Sequence, residues 1–312
     1  MDLVNHETTE GRLYERALEL LSGSDIQFRR SARLDIALVK NHPIALIFLP
    51  AADIPTFVGE GRVDLGITGS DQVAEYETSR PRYTHGDGGG GGGEERGGVG
   101  VEEVLDLGFG RCRLMVQVPE NGSIRESKSL VGRNVVTSFT GLAESYFRKL
   151  EGVVEGEKLR TNIIYSSGSV EAACALGVGD GIVDLVESGA TMEAAGLKPI
   201  DTIFTSTAIL IKSKRPSSNQ KLIDRIASRI NGVITADKYV LCQYNTPRHL
   251  LETACMITPG KRAPTVTALE DPEWVAISSM VLKDKVADVM DELTTSGATD
   301  ILVLNIANSR TG

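Results

Sequence analysis

Two short stretches of the chain carry the residue types of an anion-binding loop. In "DGIVDLVESGATM" (180–192) a short apolar run ends in Glu-Ser-Gly-Ala-Thr, and a helical pattern follows. In "GRVDLGITGSD" (61–71) the Gly, Val, Asp, Leu and later Gly recur at the same spacing. The first N–H groups of a helix lack intrahelical partners and lie at the positive end of its dipole, glycine lets backbone approach a ligand, and Ser or Thr adds a hydroxyl donor. The two loops therefore predict matched anion sites, with ordinary strand-to-helix turns capped by Ser or Thr as the alternative.

Helices and short apolar strands alternate around these loops, which predicts an α/β fold with mostly parallel strand pairing. Each loop follows a predicted helix and strand and leads into another helix, so each belongs to its own lobe. The predicted elements include a helix over 170–176 and one long strand over 203–211. Two lobes that face each other across a cleft would direct both loops at one ligand.

The chain after residue 232 has a different pattern. Between residues 239 and 306 the predicted order is β-α-β-β-α-β, which is the ferredoxin-like order. We therefore predict a separate domain at this end of the chain.

The composition excludes several classes of protein. The chain has 312 residues, 41% of them hydrophobic, and a net charge of −9, so it can form more than one core and is not expected to bind nucleic acid. The four cysteines are scattered and the four histidines form no ligand spacing, which indicates a reducing compartment and no zinc motif. No secretory signal is visible and the longest apolar run, near 44–52, is too short to span a bilayer, so we expect a cytoplasmic protein without a membrane segment.

A glycine-rich segment interrupts the α/β pattern between residues 78 and 100. Its core, "GDGGGGGGEERGGVG", has no apolar face to bury, and glycine loses the most entropy on ordering. We predict a disordered insert. A phosphate-binding loop is the alternative, but no strand leads into the run and no Lys-Ser or Lys-Thr pair follows it.

Four longer stretches of the sequence match the pattern of a known family. They are "LPAADIPTFVGEGRVDLGITGSD" (49–71), "SSGSVEAACALGVGDGIVDLVESGATMEAAGL" (166–197), "TPGKRAPTVTALEDPEWVAISSMV" (258–281) and "GATDILVLNI" (297–306). In this order they closely resemble the long form of the ATP phosphoribosyltransferases, the first enzymes of histidine biosynthesis.

The resemblance implies a two-lobed catalytic core, like a periplasmic binding protein, and a C-terminal ferredoxin-like, ACT-like regulatory domain. The implied boundaries are 1–107 with 203–231 for the first lobe (78–100 being the insert), 108–202 for the second lobe and 232–312 for the regulatory domain. The implied reaction condenses ATP with phosphoribosyl diphosphate to N1-(5-phosphoribosyl)-ATP and pyrophosphate, with Mg²⁺ bound together with the substrate and not at a dedicated protein site. The implied assembly is a homohexamer, with a dimer as its minimal unit, inhibited by histidine.

The resemblance also assigns roles to particular residues. The residues expected around the phosphoribosyl diphosphate are Glu187, Ser188, Gly189, Ala190, Thr191, Gly168 and Ser169. The expected catalytic carboxylates, for contacts to ribose hydroxyls or metal-bound water, are Asp184, Asp180 and Glu171. The residues expected on the ATP and pyrophosphate side are Arg12, Arg33, Thr68, Gly69 and Asp71. The expected histidine site is formed by Asn245, Thr265 and Met280, with capping of strand edges as the alternative for the first two.

The N-terminus departs from the family pattern, which opens with a short apolar strand and a Lys-Gly-Arg-Leu turn. Here Glu10 stands where a basic residue is expected, and the apolar run Leu3-Val4 is too short for the strand. We therefore expect a first lobe without its opening strand, which would leave a sheet edge unpaired and impair stability or activity, unless a gene start or exon junction is misassigned. Three interpretations follow: the enzyme, a catalytically impaired paralogue, and a two-lobed solute-binding or sensor protein.

Overall fold

The structure is a computed structural model that describes residues 13–30, 34–79, 100–154, 156–215 and 217–310, together with the backbone of residues 2–4. Arg12, Arg33, Glu10 and nearly all of the glycine-rich segment lie outside the described residues, so the expectations for them stay predictions. The chain divides into two compact units. The larger unit consists of Met1–Leu18 and Gln27–Ile223, and the smaller of Glu19–Ile26 and Asp224–Gly312.

A six-stranded mixed sheet forms the first lobe of the larger unit. Its strands in spatial order are β2 (Ile36–Leu38), β3 (Ala45–Ile47), β1 (Asp2–Val4), β4 (Leu65–Gly69), β11 (Ala208–Ser213) and β5 (Val101–Asp106). Strand β1 pairs in parallel with β3 on one side and with β4 on the other. The expected loss of the opening strand is therefore wrong, because a run of three residues suffices when it is paired along both edges in the middle of a sheet.

Strand β4 is buried along its whole length, and the close approach of a neighbouring helix explains why it contains Gly66. A Cβ atom at Gly66 would lie 2.6 Å from the Ile54 Cγ2 atom, so only glycine lets the helix approach this closely. That helix, α2 (Ile54–Gly59), begins after Asp53 with Pro55 in its first turn, as the sequence predicts. Helix α3 (Ser70–Ser79) follows β4 directly, and α1 (Tyr14–Gly23) begins in the larger unit and ends in the smaller one.

A five-stranded sheet forms the second lobe. Its strands in spatial order are β10 (Leu197–Ser206), β6 (Cys112–Pro119), β9 (Gly181–Val186), β7 (Asn134–Thr137) and β8 (Asn162–Tyr165). Strands β7, β8 and β9 are parallel, whereas β6 and β10 run antiparallel to their neighbours. Helix α4 (Thr140–Glu151) packs Leu142 and Phe147 into the core of this lobe, and the short α5 (Ala190–Ala194) follows β9. Pairing in both lobes is thus mixed and not mostly parallel as predicted.

Two predicted elements differ in the structure. The long strand over 203–211 is two strands, because β10 stays in the second sheet to Ser206 and β11 enters the first sheet at Ala208. The chain therefore returns between the lobes at Thr207, slightly later than the boundary expected at 203. The predicted helix over 170–176 is a single 3₁₀ turn, Val170–Ala172, followed by further turns. Ser169 and Gly177 both have left-handed φ values, and they bound this stretch on its two sides.

The smaller unit contains a four-stranded antiparallel sheet. Its strands in spatial order are β13 (Thr265–Ala268), β14 (Trp274–Leu282), β12 (Tyr239–Pro247) and β15 (Thr299–Asn305). Helix α6 (Gln220–Lys238) leads into this sheet, and α7 (Leu251–Ile257) and α8 (Val286–Thr295) complete the order β-α-β-β-α-β. The core lies between the sheet and these last two helices, where Ala254 and Leu293 pack against Tyr244 and Ile277. The predicted ferredoxin-like order is confirmed.

In the part of the chain that the structure describes, none of the helices has the length and apolar character needed to cross a bilayer.

Candidate active site

The carboxyl ends of three parallel strands meet at one edge of the second sheet. Strand β7 lies between β8 and β9 and is parallel to both. The segments that follow these strands are therefore neighbours, as at the ligand-binding edge of other α/β sheets. They begin with Ser138 after β7, Ser166 after β8 and Glu187 after β9. This edge brings together the two segments that the sequence predicts around one ligand.

The loop after β9 surrounds a pocket of about 270 Å³. The predicted residues that line it are Glu187, Ser188, Gly189 and Thr191. Gly189 has a φ of 90°, which other residues rarely adopt, and it thereby turns the chain into α5. Ala190 is the first residue of that helix, and its N–H donates to the Ser188 hydroxyl at 3.4 Å. Four of the five loop residues thus line one concave surface that carries the Ser188 and Thr191 hydroxyls, and Ala190 begins the helix behind it.

Asp184 and Glu171 are the two predicted carboxylates that lie close enough to interact. Burial raises the pKa of Asp184 from 3.8 to about 6; a hydrogen bond from the Leu185 N–H opposes this shift, and repulsion from Glu171 adds to it. The Leu185 N–H donates to the Asp184 Oδ1 atom at 2.8 Å. A partly buried carboxyl group with a raised pKa is typical of functional sites, and Asp184 directly precedes Leu185 and Val186, which line the loop pocket.

Asp180, the third predicted carboxylate, lies at the opposite end of β9 from the loop. That strand has six residues, so Asp180 is roughly 20 Å from Glu187 along the chain direction. Its Oδ2 atom accepts a hydrogen bond from the Asn134 N–H at 3.0 Å, and its Oδ1 atom pairs with the Arg133 Nη1 atom at 3.2 Å. Asp180 therefore joins β9 to β7, and the structure does not bring it to the pocket.

Gly168 and Ser169 lie in the exposed turn after β8. The Ser166 hydroxyl donates to the Gly168 carbonyl at 2.8 Å, and Ser169 adopts a left-handed φ of 50°. A Cβ atom at Gly168 would meet no atom within 4 Å, so packing does not require glycine there. Both residues lead into a 3₁₀ turn, which offers fewer free N–H groups than the predicted helix.

The first-lobe loop is closed, unlike the loop after β9. Thr68, Gly69 and Asp71 are all buried. The Thr68 hydroxyl donates to the Ala51 carbonyl at 3.1 Å, and the Asp71 carboxylate accepts a hydrogen bond from the Ser206 hydroxyl. These three residues connect β4 and α3 to the segment where the chain passes between the lobes. They do not face the cleft, and the similarity of the two loops in sequence therefore does not extend to an open anion site in each.

A larger pocket, of about 560 Å³, lies between the two lobes. Its lining from the first lobe is Asp35, Phe48, Leu49, Pro50, Ala51, Ala52 and Gln72. Its lining from the second lobe is Ser138, Phe139, Tyr165 and Ser167. Phe48 and Phe139 are buried, whereas the Tyr165 side chain is 66% exposed and offers a free aromatic surface. These aromatic residues are not predicted from the sequence; the available signal is an aromatic residue at the end of a short apolar strand, as in "NIIY".

Asp184 and Glu171 are too few ligands to form a metal site without ligands from water or substrate. Among the described residues, no three His, Cys, Asp or Glu side chains are grouped so that they could hold a metal ion. Oxygen ligands are nevertheless the type that Mg²⁺ prefers, and this ion usually keeps several ligands from water and substrate phosphates. Asp184 and Glu171 therefore suit a cation that arrives with a phosphate-bearing ligand.

The predicted histidine-site residues lie on three neighbouring strands of the smaller unit. In the register of the sheet, Asn245 is opposite Ala276 and Thr265 is opposite Ser278, so both share the face of β14 that carries Met280. Met280 is four residues along β14 from Ala276, which corresponds to roughly 13 Å. Met280 lines a pocket of about 350 Å³ together with Met256 and Lys285, whereas the Asn245 amide donates to the Asp300 carboxylate at 3.0 Å. The three residues share one face and do not line one pocket.

Sequence profiles of one family match most of the chain. The HisG profile, described as ATP phosphoribosyltransferase, matches residues 50–232, and the profile of the HisG C-terminal domain matches residues 236–308. The chain is 55% identical to the ATP phosphoribosyltransferase of Yarrowia lipolytica, 52% to that of Schizosaccharomyces pombe and 50% to that of Saccharomyces cerevisiae. Each of these alignments covers 99% of this chain and 100% of the relative.

Comparison of folds gives a concordant result. The structure is similar to a chain of the ATP phosphoribosyl transferase (HisG:HisZ) complex from Thermotoga maritima, with a TM-score of 0.58 and 21% sequence identity. The superposition covers 76% of this chain and 98% of the other.

Proposed function

This chain belongs to the ATP phosphoribosyltransferase family, and from that premise we propose that it condenses ATP with phosphoribosyl diphosphate at the carboxyl edge of the second sheet. The products are N1-(5-phosphoribosyl)-ATP and pyrophosphate, and the reaction is the first step of histidine biosynthesis. The observation that carries this proposal is the pocket lined by Glu187, Ser188, Gly189 and Thr191, directly after the strand that carries the partly buried Asp184.

The reaction requires positioning and charge stabilisation, and it needs no covalent intermediate with the protein. The lone pair of adenine N1 forms the new bond to C1 of the ribose. The bond from C1 to the pyrophosphate oxygen breaks, its electron pair leaves with the pyrophosphate, and the adenine loses one proton from its amino group. The protein therefore has to hold N1 in line with the breaking bond and stabilise the charge that develops on the leaving group.

The pockets of the core suit different parts of the two substrates. The loop after β9 offers backbone N–H groups and the Ser188 and Thr191 hydroxyls, which suit the ribose 5-phosphate. We assign Asp184 and Glu171 the role of accepting hydrogen bonds from ribose hydroxyls, and their mutual electrostatic interaction supports a shared position. The pocket between the lobes has aromatic walls, and none of its described lining residues is basic, so it suits the adenine ring of ATP better than a phosphate. In this arrangement the exposed Tyr165 ring stacks on adenine.

Magnesium supplies charge neutralisation of the substrate phosphates when it is bound. The protein ligands that we propose for this cation are two carboxylates, Asp184 and Glu171. They complete the coordination of a cation that is held mainly by substrate oxygens. With their ionised oxygens these two residues also orient the ribose.

The smaller unit is proposed to be an ACT-like regulatory domain through which histidine inhibits the enzyme. Its ferredoxin-like strand order and its match to the C-terminal family profile support this assignment. Asn245, Thr265 and Met280 remain the proposed ligand residues, on the face of the sheet that they share. We further propose a homohexamer built from dimers, which light scattering on the purified protein tests directly.

The impaired-paralogue interpretation has lost its main support. It depended on the absence of both the opening strand and a basic residue at position 10. Strand β1 occupies the middle of the first sheet, so only the departure at Glu10, which lies outside the described residues, still supports it. No observation on the described residues favours a solute-binding or sensor protein over the enzyme.

One assay tests the proposed function and its regulation. The purified chain is mixed with ATP, phosphoribosyl diphosphate and Mg²⁺, and product is followed by its ultraviolet absorbance before and after histidine is added. We expect product formation that depends on both substrates and falls when histidine is present. A folded protein that binds the substrates without forming product would refute the catalytic proposal, whereas product that is insensitive to histidine would refute the regulatory assignment alone.

A further inference from the structure

Helix α3 of the first lobe lies directly against the start of α4 in the second lobe. The Gly141 and Leu142 N–H groups donate to the half-buried Glu75 carboxylate at 2.7 and 2.9 Å. Ala74, the preceding residue of α3, packs against the core of the second lobe. One side of α3 therefore belongs to the interface between the lobes.

The close approach of the two helices depends on Gly141. A Cβ atom at this position would lie 2.9 Å from the Ser79 Oγ atom and closer still to the Thr78 Oγ1 atom, so any larger residue would force the helices apart. Gly141 lies inside α4 and does not have a left-handed φ, and alanine is otherwise favoured over glycine at such a position. The contact with α3 thus accounts for the glycine.

The same two segments form walls of the pocket between the lobes. Gln72, three residues before Glu75 on α3, lines this pocket from the first lobe. Ser138 and Phe139, which directly precede α4, line it from the second lobe. Phe139 is buried in the core of the second lobe, so its position is fixed relative to that lobe. The spacing of α3 and α4 therefore sets the distance between these walls.

The chain passes between the lobes beside the other end of α3. The N–H of Ser70, the first residue of α3, donates to the carbonyl of Thr207 at 2.9 Å, and Thr207 separates β10 from β11. In the other crossing segment, 107–111, Gly108 and Gly110 have left-handed φ values of 75° and 66°. Short crossings of this kind are where hinge motions of two lobes occur. Contacts such as that of Glu75 with α4 then decide how far apart the lobes stand.

We propose that Glu75 is a positioning residue for the ligand of the pocket between the lobes. Its carboxylate holds the first turn of α4 against α3 and thereby keeps Gln72 and Phe139 at the spacing that a flat aromatic ring needs. This inference rests on the proposed function, in which that ring is the adenine of ATP. The loop after β9 belongs to the second lobe alone, so its affinity for a phosphate does not depend on Glu75.

The test compares two ligands that occupy different pockets. Dissociation constants of ATP and of ribose 5-phosphate are measured by calorimetry, well below the melting temperature of each protein. In the Glu75→Gln variant the side-chain amide has one acceptor oxygen for two N–H donors, and in the Gly141→Ala variant a methyl group separates the helices. The controls, Glu77→Gln and Glu144→Ala, change exposed residues of the same two helices.

A third variant separates a positioning role from a general loss of stability. It combines Gly141→Ala with Thr78→Ala and Ser79→Ala, which remove the two hydroxyl groups that the added Cβ atom would meet. The helices can then approach each other again, so the affinity for ATP should recover although no stabilising contact has been added.

We expect Glu75→Gln and Gly141→Ala to weaken binding of ATP by about threefold to tenfold relative to their controls. Binding of ribose 5-phosphate should be unchanged, which also shows that the variants are folded. The proposal is overturned if both variants bind ATP as their controls do, or if they lose ribose 5-phosphate to the same degree. It is also overturned if the triple variant binds ATP no better than Gly141→Ala. Absence of product from the unaltered protein would instead refute the proposed function, and the comparison of ATP affinities does not depend on that result.

Discussion

The Glu75 carboxylate in the first lobe accepts a hydrogen bond from the Gly141 N–H of the second lobe at 2.7 Å. The Leu142 N–H donates to the same carboxylate at 2.9 Å. Both donors belong to the first turn of α4, whose N–H groups have no partners within the helix. Phe139, which precedes α4, makes no side-chain cap. A residue of one lobe therefore caps a helix of the other.

Replacing Glu75 with alanine should lower the free energy of unfolding by about 1–2 kcal/mol, because two N–H groups at the interface of the lobes lose a charged acceptor. Urea unfolding monitored by circular dichroism measures the change. Glu77→Ala is the matched control, since Glu77 is an exposed residue of the same helix. Equal unfolding midpoints for the two variants would show that the contact between Glu75 and α4 adds nothing to stability.

Replacing Gly189 with alanine should weaken binding of ribose 5-phosphate. The φ of 90° at this position is strained for any residue with a Cβ atom, so the loop would relax away from its concave shape. Gly132→Ala is the control, because Gly132 has a similar φ of 81° and open space around the position of a Cβ atom, but lies outside the loop. Calorimetry should show weaker binding of ribose 5-phosphate for the Gly189→Ala variant alone. Similar affinities in both variants would show that ligand binding does not depend on the geometry of the loop.

The stability of an Asp184→Asn variant should depend on pH in a specific way. The folded-state pKa of Asp184 is raised to about 6 from an ordinary 3.8, so its ionised form opposes folding. The variant should gain stability over the unaltered protein as pH rises from about 4 to 6, by up to about 3 kcal/mol, and the gain should level off above that range. Thermal unfolding across this pH range measures it.

The Glu171→Gln substitution provides the second half of this test. Removing the Glu171 charge takes away one of the causes that raise the pKa of Asp184, whereas burial remains. The stability difference between the protein that keeps Asp184 and its Asp184→Asn variant has a pH midpoint. That midpoint, which lies between pH 3.8 and about 6, should move to lower pH when both proteins also carry Glu171→Gln. A difference that is flat from pH 4 to 8 would contradict the raised pKa.

Strands β7 and β8 of the second lobe were predictable because each is a short, local apolar run. Strands over 134–137 and 162–165 have the bounds that the apolar runs predict. Strand β1 was not predictable in the same way, since three residues carry no periodicity and are ordered only by pairing with β3 and β4. The division of the predicted strand at Thr207 was not predictable either. The two halves pair with different sheets, and an unbroken apolar run does not show which sheet each half joins.

The candidate site was predictable where glycine and hydroxyl residues stand in one continuous loop, as in Glu187–Thr191. It was not predictable where partners come from distant segments. Ser206 satisfies Asp71, so a loop with the same residue pattern is closed in the first lobe. Arg113 lies beside the carboxyl end of β9 because β6 pairs with β9, and the sequence alone does not reveal that register.

The Glu151 carboxylate should make the second lobe sensitive to acid. Its side chain is fully buried and accepts hydrogen bonds from the Thr161 hydroxyl at 2.6 Å, the Thr161 N–H at 3.0 Å and the Arg160 N–H at 2.9 Å. Burial alone raises the pKa of Glu151, but the hydrogen bonds from Thr161 and Arg160 prevail and lower it from 4.5 to about 2. The ionised form therefore stabilises the fold above pH 4.5, and this contribution is lost as pH falls toward 2.

A Glu151→Gln variant should be destabilised by roughly 1–3 kcal/mol at pH 7, because the buried donors lose a charged acceptor. The difference from the unaltered protein should shrink as pH falls from about 4.5 toward 2, where the carboxylate itself becomes protonated. Glu144→Gln serves as the control, since Glu144 is an exposed residue of the same helix, and it should stay within about 0.5 kcal/mol of the unaltered protein. Urea unfolding at a series of pH values measures all three proteins, and an equal loss for Glu151→Gln at pH 3 and pH 7 would mean that the charge of Glu151 is not what stabilises this turn.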